Sequence, residues 1–480
     1  MPLSRERIVP LIVAVALFME NMDSTVIATA LPAIAADIGT NPLALKLAVT
    51  SYLLALAVFI PISGWMADRF GARTIFSTAI VVFVLGSIGC AFAGALSHFV
   101  LARFIQGMGG AMMTPVGRLV LVRTIDKSKL VDAMALVTMP ALVGPLIGPP
   151  LGGFITTYAS WPWIFIINVP IGFLGFFLVN RFVENVRAEA PDPFDFVGMA
   201  LVAVAVAGLA FGTSVLGLGF LPRPLVLVLI ALGAAAAVAY VLYARRTPTA
   251  VIDLTLFRLA TFRAGVAGGF VFRIGAGALP FLLPLLLQIG LGMTPFQSGL
   301  ITFATAIGAI TMKAGAARIL RRFGFPRTLT VNALLAAASL GACAAFGPGT
   351  PIWVMVAVLL VGGLFRSLQF TSMNTIAFAE VDTRRMSRAT SLVSVAQQLA
   401  ISTGVAIGAL VVESVLRFER HLTLSASDFP PAFVIVACIA AASALIFARL
   451  PPDAGKELAA GTPSRLAPPR AEKPTDQHDG

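Results

Sequence analysis

The sequence predicts an all-α polytopic membrane protein with about fourteen transmembrane helices, and three observations support this prediction. First, 58% of the 480 residues are hydrophobic and only 12% are charged, whereas ordinary globular domains carry about 25% charged residues. Second, the mean hydropathy is +0.94. Third, apolar runs long enough to cross ~30 Å of hydrocarbon recur along nearly the whole chain.

The apolar runs give the predicted spans one by one. They cover residues 8–31, 44–66, 73–94, 98–121, 130–156, 161–180, 196–216, 224–244, 261–289, 295–317, 327–347, 351–377, 388–415 and 431–450. The first run is not typical of a cleaved signal peptide, because it contains Glu20 and Asp23 and many further runs follow it. Residues 451–480 are rich in proline, alanine and charge, which is typical of a disordered tail.

The net charge of +12 is explained by loops that fix membrane orientation rather than by nucleic-acid binding. Lysine and arginine concentrate in alternate loops, and this bias predicts that the N- and C-termini are both cytoplasmic. The basic residues of the predicted inner loops are Arg69, Arg73, Arg123, Lys127, Lys129, Arg181, Arg187, Arg245, Arg246, Arg258, Arg263, Arg318, Arg321, Arg322, Arg327, Arg384, Arg385 and Arg388.

Two loops indicate an internal repeat. The loop after the second span reads DRFGART (68–74), and the loop after the tenth reads RRFGFPRT (321–328). A weaker similarity joins LPAIAADIG (31–39) to LPLLLQIG (283–290). These matches predict six helices (1–190), an inserted helix pair (191–250), six more helices (251–450) and a cytoplasmic tail (451–480). Repeats of this kind build transporter sites at the bilayer midplane.

Ionisable residues within the spans mark candidate functional positions, because a charge at the bilayer centre costs at least ~2.5–3.5 kcal/mol. Glu20 and Asp23 are three residues apart in the first span and therefore share one helical face. Two neighbouring carboxylates repel, which favours protonation of one of them and suits proton coupling. The alternative is that one of them pairs permanently with an arginine.

Other polar residues within the spans predict a substrate cavity with unlike walls. Arg103 and Gln106 share one face of the fourth span. Arg273 in the ninth span and Arg366 in the twelfth lie too deep to reach the membrane surface, so we expect them to face a cavity or to pair with carboxylates. Gln369 and Asn374 add polar groups to the twelfth span. Acids in the first half and arginines in the second favour proton handling on one side and anion attraction on the other.

The stretch GPLIGPPLGG (144–153) places helix breakers inside the fifth span. Gly144, Gly148 and Gly152 recur every four residues and form a flat stripe on which another helix can pack closely. Pro145 and Pro149 each lack an N–H, which frees backbone carbonyls that lipid cannot satisfy. We therefore expect this span at the interface between the two six-helix halves, as a seam for alternating access or as a static helix crossing.

The sequence offers little material for an enzyme. Cys90, Cys343 and Cys438 lie in apolar segments without paired spacing, and the three histidines are scattered, so we predict no metal and no cofactor. A nucleotide-binding G-x-x-x-x-G-K-[ST] loop does not occur in the sequence. A membrane-embedded transferase would need a nucleophile or metal constellation, and a channel would need a repeated polar ring. Scattered single charges favour neither class.

Several motifs resemble those of the major facilitator superfamily. GWMADRFGART (64–74) is similar to its loop signature, with Asp68, Arg69, Gly71 and Arg73 matching and Ala72 at a usually basic position. RFIQGMGGA (103–111), MDSTVIATALP (22–32), in which Ala28 replaces the usual Asn, and the stretch 144–153 resemble signatures of its fourteen-span drug:proton antiporter group, MdtD/HsrA-like branch. The resemblance covers nearly the whole chain.

This resemblance implies a major facilitator fold of two six-helix bundles plus an inserted helix pair. It also implies a proton-transfer role for Arg103, a gate brace at Asp68 facing a helix N-terminus, and a peripheral inserted pair outside the transport path. The predicted function is a proton:substrate antiporter of a bacterial cytoplasmic membrane that exports drugs or other small organic molecules and works as a monomer. The alternative cargo is an organic anion or metal–carboxylate complex held by Arg273 and Arg366.

Overall fold

A computed structural model describes residues 5–125, 130–187, 194–215, 221–247, 250–382, 385–421 and 423–460. The predicted tail beyond residue 460 and the basic residues Lys127, Lys129 and Arg384 lie outside the described residues. Fourteen long helices follow one another in the described chain. They are α1 Arg5–Val26, α2 Lys46–Phe70, α3 Ala72–Ala91, α4 Leu96–Thr124, α5 Leu130–Tyr158, α6 Asn168–Phe182, α7 Phe196–Val215, α8 Arg223–Ala244, α9 Gly269–Leu285, α10 Pro295–Phe323, α11 Phe325–Gly341, α12 Ile352–Ala377, α13 Met386–Phe418 and α14 Pro430–Phe447.

Most of these helices have the length and apolar composition of membrane spans. Twelve segments of the described chain meet both criteria. The other two long helices, α4 and α5, contain 29 residues each, which is ample for ~30 Å of hydrocarbon. Helix α4 is less apolar because it carries Arg103, Gln106 and Arg118. The prediction of an all-α polytopic membrane protein with about fourteen spans is therefore confirmed.

The outer surface of the helices is apolar, as lipid contact requires. Large side chains point outward at Phe92, which is 80% exposed, and at Phe173, which is 75% exposed. In a water-soluble protein, such contiguous apolar surface would mark an interaction site. Here it follows from a solvent that is itself apolar, and polar side chains collect between the helices instead.

The helices form two packed groups. In the first half, α1 packs on α5 and α6, α2 packs on α4, and α3 packs on α4 and α6. In the second half, α9 packs on α13 and α14, α10 packs on α12, and α11 packs on α12 and α14. The two halves meet along two seams, α5 against α10 and α2 against α13.

The two repeated loops have the same backbone conformation. Gly71 ends α2 and precedes α3 with φ of +98°, and Gly324 ends α10 and precedes α11 with φ of +72°. Glycine is the residue that tolerates positive φ without steric cost. The R-F-G pattern therefore marks the same tight reversal in both halves. We call the end of the bundle that carries these loops the basic end.

The inserted pair α7–α8 contacts both halves through α7, and its place outside the transport path stays a prediction. Helix α7 packs on both α2 and α13. One apolar cluster joins Leu54 of α2, Val202 of α7 and Leu392 of α13. Asp195, just before α7, accepts hydrogen bonds from the Tyr243 hydroxyl at 2.6 Å and from the Val251 amide at 3.2 Å. The pair thus covers the α2–α13 seam.

Candidate functional site: a chamber between the halves

A chamber lies between the two halves and has three adjoining lobes. The deep lobe of about 390 Å³ is lined by Glu20, Pro149 and Phe281 among others. The arginine lobe of about 560 Å³ contains Arg273, Arg366 and Lys313, and it shares Arg366 with the deep lobe. The mouth lobe of about 830 Å³ shares Glu20 with the deep lobe. Its wall also includes Asp68, Arg118, Phe194, Asp195 and Arg388.

The chamber widens toward the basic end and is closed at the opposite end. Asp68 of the mouth lobe lies in the loop-proximal turn of α2, at the basic end. At the opposite end, the Gln288 side chain donates a hydrogen bond across the halves to the Thr29 carbonyl at 2.9 Å. The Phe296 amide donates to the Thr157 hydroxyl at 3.1 Å. The chamber is therefore open at one end only.

Glu20 of α1 faces the chamber. Its carboxylate accepts a hydrogen bond of 2.8 Å from the Thr114 hydroxyl of α4. Among the described residues that line the deep lobe, Glu20 is the only carboxylate. It also borders the mouth lobe, so a proton can reach it from the basic end without crossing a packed layer. Glu20 therefore presents a carboxylate to the chamber.

Asp23 lies in a different environment, although it is less than one turn from Glu20. It is fully buried, and its carboxylate accepts hydrogen bonds of 2.7 Å from Arg103, 2.8 Å from Gln106 and 2.8 Å from Asn168. Gln106 also donates to the Ser87 hydroxyl at 2.7 Å. Helices α1, α3, α4 and α6 thus meet in one buried polar network with Asp23 and Arg103 at its centre.

This arrangement corrects two expectations. The two acids do not face each other as a repelling pair, because Asp23 has the arginine partner that the alternative interpretation required. Gln106 does not line the substrate cavity, because it is fully buried in the network and its amide is used by Asp23 and Ser87. Hydrogen bonds of this kind offset part of the desolvation cost of a buried charge pair.

The second half supplies the positive wall of the chamber. Arg273 is 4% exposed and donates to the Asn374 side-chain oxygen at 2.5 Å. Arg366 borders two lobes, and its Nε donates to the Gly362 carbonyl at 3.3 Å. Among the described residues, no carboxylate lies within 4.0 Å of either guanidinium. Both guanidinium groups therefore border the chamber without an acidic partner among the described residues.

Gln369 does not belong to this wall, which corrects the prediction that it lines the cavity. It is fully buried; its side-chain oxygen accepts from Asn332 at 2.9 Å, and its amide donates to the Leu329 carbonyl at 3.2 Å. Gln369 therefore joins α12 to α11 inside the second half. Asn374, by contrast, borders both the arginine and mouth lobes.

The glycine stripe of α5 packs within the first half. A Cβ atom on Gly148 would lie 2.1 Å from the Thr25 hydroxyl, and one on Gly152 would lie 2.3 Å from the Val26 carbonyl oxygen. Gly144 likewise faces α1. The stripe therefore fixes α5 on α1, not on the second half. Pro145 and Pro149 line the deep lobe, so the backbone they interrupt borders the chamber.

The contact between the halves uses neighbouring glycines instead. A Cβ atom on Gly153 of α5 would lie 2.3 Å from the Pro295 carbonyl oxygen, and one on Gly299 of α10 would lie 2.4 Å from that of Pro149. The two helix backbones thus touch at the closed end. The stretch does border the interface between the halves, as expected, but through a different face from the predicted stripe.

Gly299→Ala is expected to force α5 and α10 apart at the closed end, because the added methyl group has no room against the Pro149 carbonyl. The distance between spin labels on Ser160→Cys and Leu300→Cys, with Cys438 replaced by serine, should therefore lengthen. Gly315→Ala on the same helix is the matched control, because a Cβ there meets nothing within 4 Å. An unchanged distance in Gly299→Ala would contradict the close contact.

A second contact between the halves was not predicted from sequence. Lys46, the first residue of α2, is fully buried, and its ammonium lies 3.6 Å from the Glu413 carboxylate of α13. Glu413 also pairs with Arg417 at 2.9 Å. Both residues lie near the ends of predicted spans, where the sequence gives no sign that they pair. Their pairing depends on how the two halves meet, which the sequence does not show.

Glu413→Gln is expected to destabilise the protein more than Lys46→Met. Glutamine leaves the buried Lys46 ammonium without its carboxylate, and breaking a buried pair costs about 3–5 kcal/mol. Methionine instead leaves Glu413 paired with the half-exposed Arg417. The midpoint of thermal unfolding of the purified variants measures this order. Equal losses, or a double variant no more stable than Glu413→Gln, would show that the pair is not coupled.

Asp68 at the basic end forms an ion pair between side chains, and its role as a gate brace stays a prediction. Its carboxylate binds Arg123 in the last turn of α4. Gly71 lies against Asn185, whose side-chain oxygen accepts from the Thr74 amide at 3.3 Å. Arg69 is exposed and Arg73 is half-buried. The loop thus connects α2, α4 and the segment after α6.

Comparison with known proteins agrees with this architecture. The family model of the Major Facilitator Superfamily matches residues 13–265 and again residues 265–474. The two matches divide the chain into two similar parts, as the repeated loops do. A solved structure, the crystal structure of a D-xylose-proton symporter, superposes with a TM-score of 0.66 over 94% of this chain and 100% of that chain. Its sequence identity is 16%, so it supports the fold alone.

Relatives of similar length are found among curated bacterial proteins. A protein of Escherichia coli O157:H7 (strain EC4115 / EHEC), named "Putative multidrug resistance protein MdtD", is 40% identical over 95% of this chain and 97% of its own length. Proteins of the same name from Salmonella heidelberg (strain SL476) and Shigella flexneri are each 39% identical, over 92% and 95% of this chain and 94% and 97% of their own lengths.

Proposed function

This chain belongs to the Major Facilitator Superfamily and is a membrane transporter rather than an enzyme, and we propose that it exports small organic molecules in exchange for protons. The observation that carries this proposal is Glu20, the lone carboxylate of the deep lobe among the described residues. Glu20 lies between the two halves, which contact each other closely at one end of the chamber and diverge at the other. A proton taken up there changes the charge of the chamber.

The proposed cycle uses the two acids differently. Glu20 carries the proton, while Asp23 and Arg103 keep the first half in register and respond through the network between them. In this cycle, the first bundle comprises residues 1–190, the inserted pair residues 191–250 and the second bundle residues 251–450. Two sets of residues keep the helices packed together as the halves move. They are the loop residues Asp68, Arg69, Gly71 and Arg73 and the α5 residues Gly144, Pro145, Gly148, Pro149 and Gly152. A proton that enters the cell contributes ~2.3 kcal/mol per 100 mV.

The proposed orientation places the basic end in the cytoplasm of a bacterium, in its inner membrane, with both termini inside. It rests on the excess of arginine and lysine in the loops at that end. The observed opening would then face the cytoplasm, where an exporter collects its cargo. We propose that a monomer suffices, because the chamber is enclosed by helices of one chain.

A second candidate cargo is an organic anion or a metal–carboxylate complex. The observation that favours it is the positive arginine lobe, where Arg273 and Arg366 have no carboxylate within 4.0 Å among the described residues and Lys313 adds a third cation. Guanidinium groups bind carboxylates bidentately. This candidate keeps the same proton exchange at Glu20.

Arg366→Ala distinguishes the two cargoes. For an anionic cargo, loss of the guanidinium should reduce export by at least about tenfold, since one hydrogen-bonded charge pair contributes ~1.5–3 kcal/mol. Export of cationic dyes should persist. Uptake into everted vesicles measures both, with Arg318→Ala as the control, because this basic residue is not part of the walls of the three lobes. Equal loss for anions and cations would contradict the anion site.

Flux in proteoliposomes tests the exchange itself. Purified protein is reconstituted with a pH-sensitive dye inside, and neutral, cationic and anionic compounds are added one at a time under an imposed pH gradient. An exchanger moves protons only when a carried compound is present. Proton flux without any compound would indicate a channel, and compound flux without protons would contradict coupling.

A further inference from the structure

Helices α1 and α4 face each other in successive polar layers. In one layer, Asp23 binds Arg103 and Gln106. In the next, toward the basic end, Glu20 binds Thr114. Between these layers α4 presents Gly110, which has no side chain. The space beside it is filled from a third helix, by Tyr52 of α2: a Cβ atom on Gly110 would lie 3.1 Å from the Tyr52 hydroxyl oxygen and 3.7 Å from Cγ of Glu20.

The ring of Tyr52 contacts the buried layer. The guanidinium carbon of Arg103 lies 4.2 Å from the centre of the ring, which is within the range of a cation–π interaction. Tyr52 is only 2% exposed, yet it lines the deep lobe. One side of the residue therefore covers the Asp23–Arg103 pair, and the other borders the chamber that contains Glu20.

The hydroxyl of Tyr52 is buried without a hydrogen-bond partner among the described residues. Buried hydroxyls in folded proteins nearly always have partners, and each exception calls for a physical explanation. Phenylalanine would fill the same space without this cost. The nearest titratable side chains around the ring are Glu20 and Asp23 of α1 and Arg103 of α4, with Arg118 of α4 farther toward the mouth.

We propose that Tyr52 is a positioning residue that divides the chamber from the buried ion pair and connects the two. Its ring holds the Arg103 guanidinium and keeps chamber water away from Asp23. Its hydroxyl hydrogen-bonds to the Glu20 carboxyl in one of the protonation states of that group. The Asp23–Arg103 pair thereby responds to Glu20 without exchanging protons with the cavity. The connection rests on the proposed proton exchange, whereas the division does not.

The natural cysteines provide a test of the division that needs no cargo. The Cys90 thiol lies in the buried layer, 3.8 Å from the Gln106 side-chain oxygen. Cys343 is 1% exposed in the second half and serves as the internal control. Methyl methanethiosulfonate labelling, resolved by mass spectrometry, should leave both thiols unreacted in the wild type and in Tyr52→Phe. In Tyr52→Ala, Cys90 should react at least about tenfold faster while Cys343 stays protected.

Tyr52→Leu repeats the test with a side chain that retains most of the apolar volume, in case alanine prevents folding. Faster labelling of Cys90 alone in either variant supports the division. Protection of Cys90 in both variants, or equal labelling of Cys90 and Cys343, overturns it, because the ring would then be packing the helix bundle in general. Neither labelling result depends on whether the protein exchanges protons. A failure of the division by Tyr52 can therefore be distinguished from a failure of the proposed proton exchange.

Infrared titration tests the hydroxyl. The carboxyl band of Glu20 is identified by its loss in Glu20→Gln. In Tyr52→Phe, the pH at which half of this band remains should move by roughly 0.5–1 unit, as expected for one hydrogen bond. Tyr240→Phe is the matched control, because its hydroxyl bonds to the distant Ile252 backbone. An unchanged midpoint in Tyr52→Phe overturns the connection.

Discussion

Glu20→Gln is expected to abolish pH-gradient-driven transport and to leave the folded protein intact. Glutamine has the same shape and still offers an oxygen to the Thr114 hydroxyl, which now bonds Glu20 at 2.8 Å. It cannot release or take up a proton. Because Glu20 is the lone carboxylate of the deep lobe among the described residues, no neighbour is placed to replace it there.

Proteoliposomes under an imposed pH gradient measure this loss, with cargo flux falling to the level of protein-free vesicles. The control is Glu457→Gln, on the exposed segment after α14, which should transport like the wild type. Unchanged unfolding temperatures would separate a lost proton site from misfolding. Coupled transport by Glu20→Gln would mean that the proton is carried elsewhere.

Asp23→Asn is expected to be the most destabilising single polar substitution in the first half. It leaves the Arg103 guanidinium, which is 1% exposed, without a negative partner. Breaking a buried pair by removing one member costs about 3–5 kcal/mol. The Tyr52 ring remains over Arg103, but a cation–π interaction contributes only ~2 kcal/mol when desolvated, so it cannot compensate fully.

Thermal unfolding of purified variants measures the loss, and a double variant tests its cause. Asp23→Asn with Arg103→Gln removes both charges and should recover part of the stability. Asp68→Asn is the comparison, because the Asp68 and Arg123 side chains are 38% and 22% exposed and such a pair contributes about 0–1 kcal/mol. A loss no greater for Asp23→Asn than for Asp68→Asn would contradict a buried network.

The fold was predictable because a membrane span requires a long apolar run, and such runs are visible in the sequence alone. The positive-φ reversal at Gly71 and Gly324 was visible as the repeated R-F-G pattern. The importance of Glu20 and Asp23 followed from the cost of charges in lipid. Their division into a chamber acid and a network acid did not, because it depends on Thr114 and Tyr52, which other helices bring into place.

The face of each helix was harder to predict than its existence. Successive helical residues point about 100° apart, so Gly152 and the adjacent Gly153 contact different neighbours, α1 and α10. The periodic stripe identified close packing but not the partner. Gln106 and Gln369 were predicted to line the cavity for the same reason. A polar side chain in a span needs hydrogen-bond partners, but another side chain can provide them as well as cavity water.

Residues at the span ends were missed because their sequence surroundings look solvated. Lys46 follows the short segment Pro42–Leu45, and Glu413 lies four residues before Arg417, a spacing typical of an exposed helical ion pair. Lys46 is nevertheless fully buried, and its carboxylate partner belongs to the neighbouring half. The apolar contacts of the inserted pair with both halves also depend on which helices meet, which the sequence does not show.

We expect protonation of Glu20 to change which end of the chamber is open. Spin-label distances across both ends of the reconstituted protein test it most directly: Val122→Cys with Phe323→Cys at the basic end, and Ser160→Cys with Leu300→Cys at the opposite end. A change of pH should shorten one distance and lengthen the other in the wild type, and should change neither in Glu20→Gln. The same pH response in Glu20→Gln, or two distances that move together, would contradict the account.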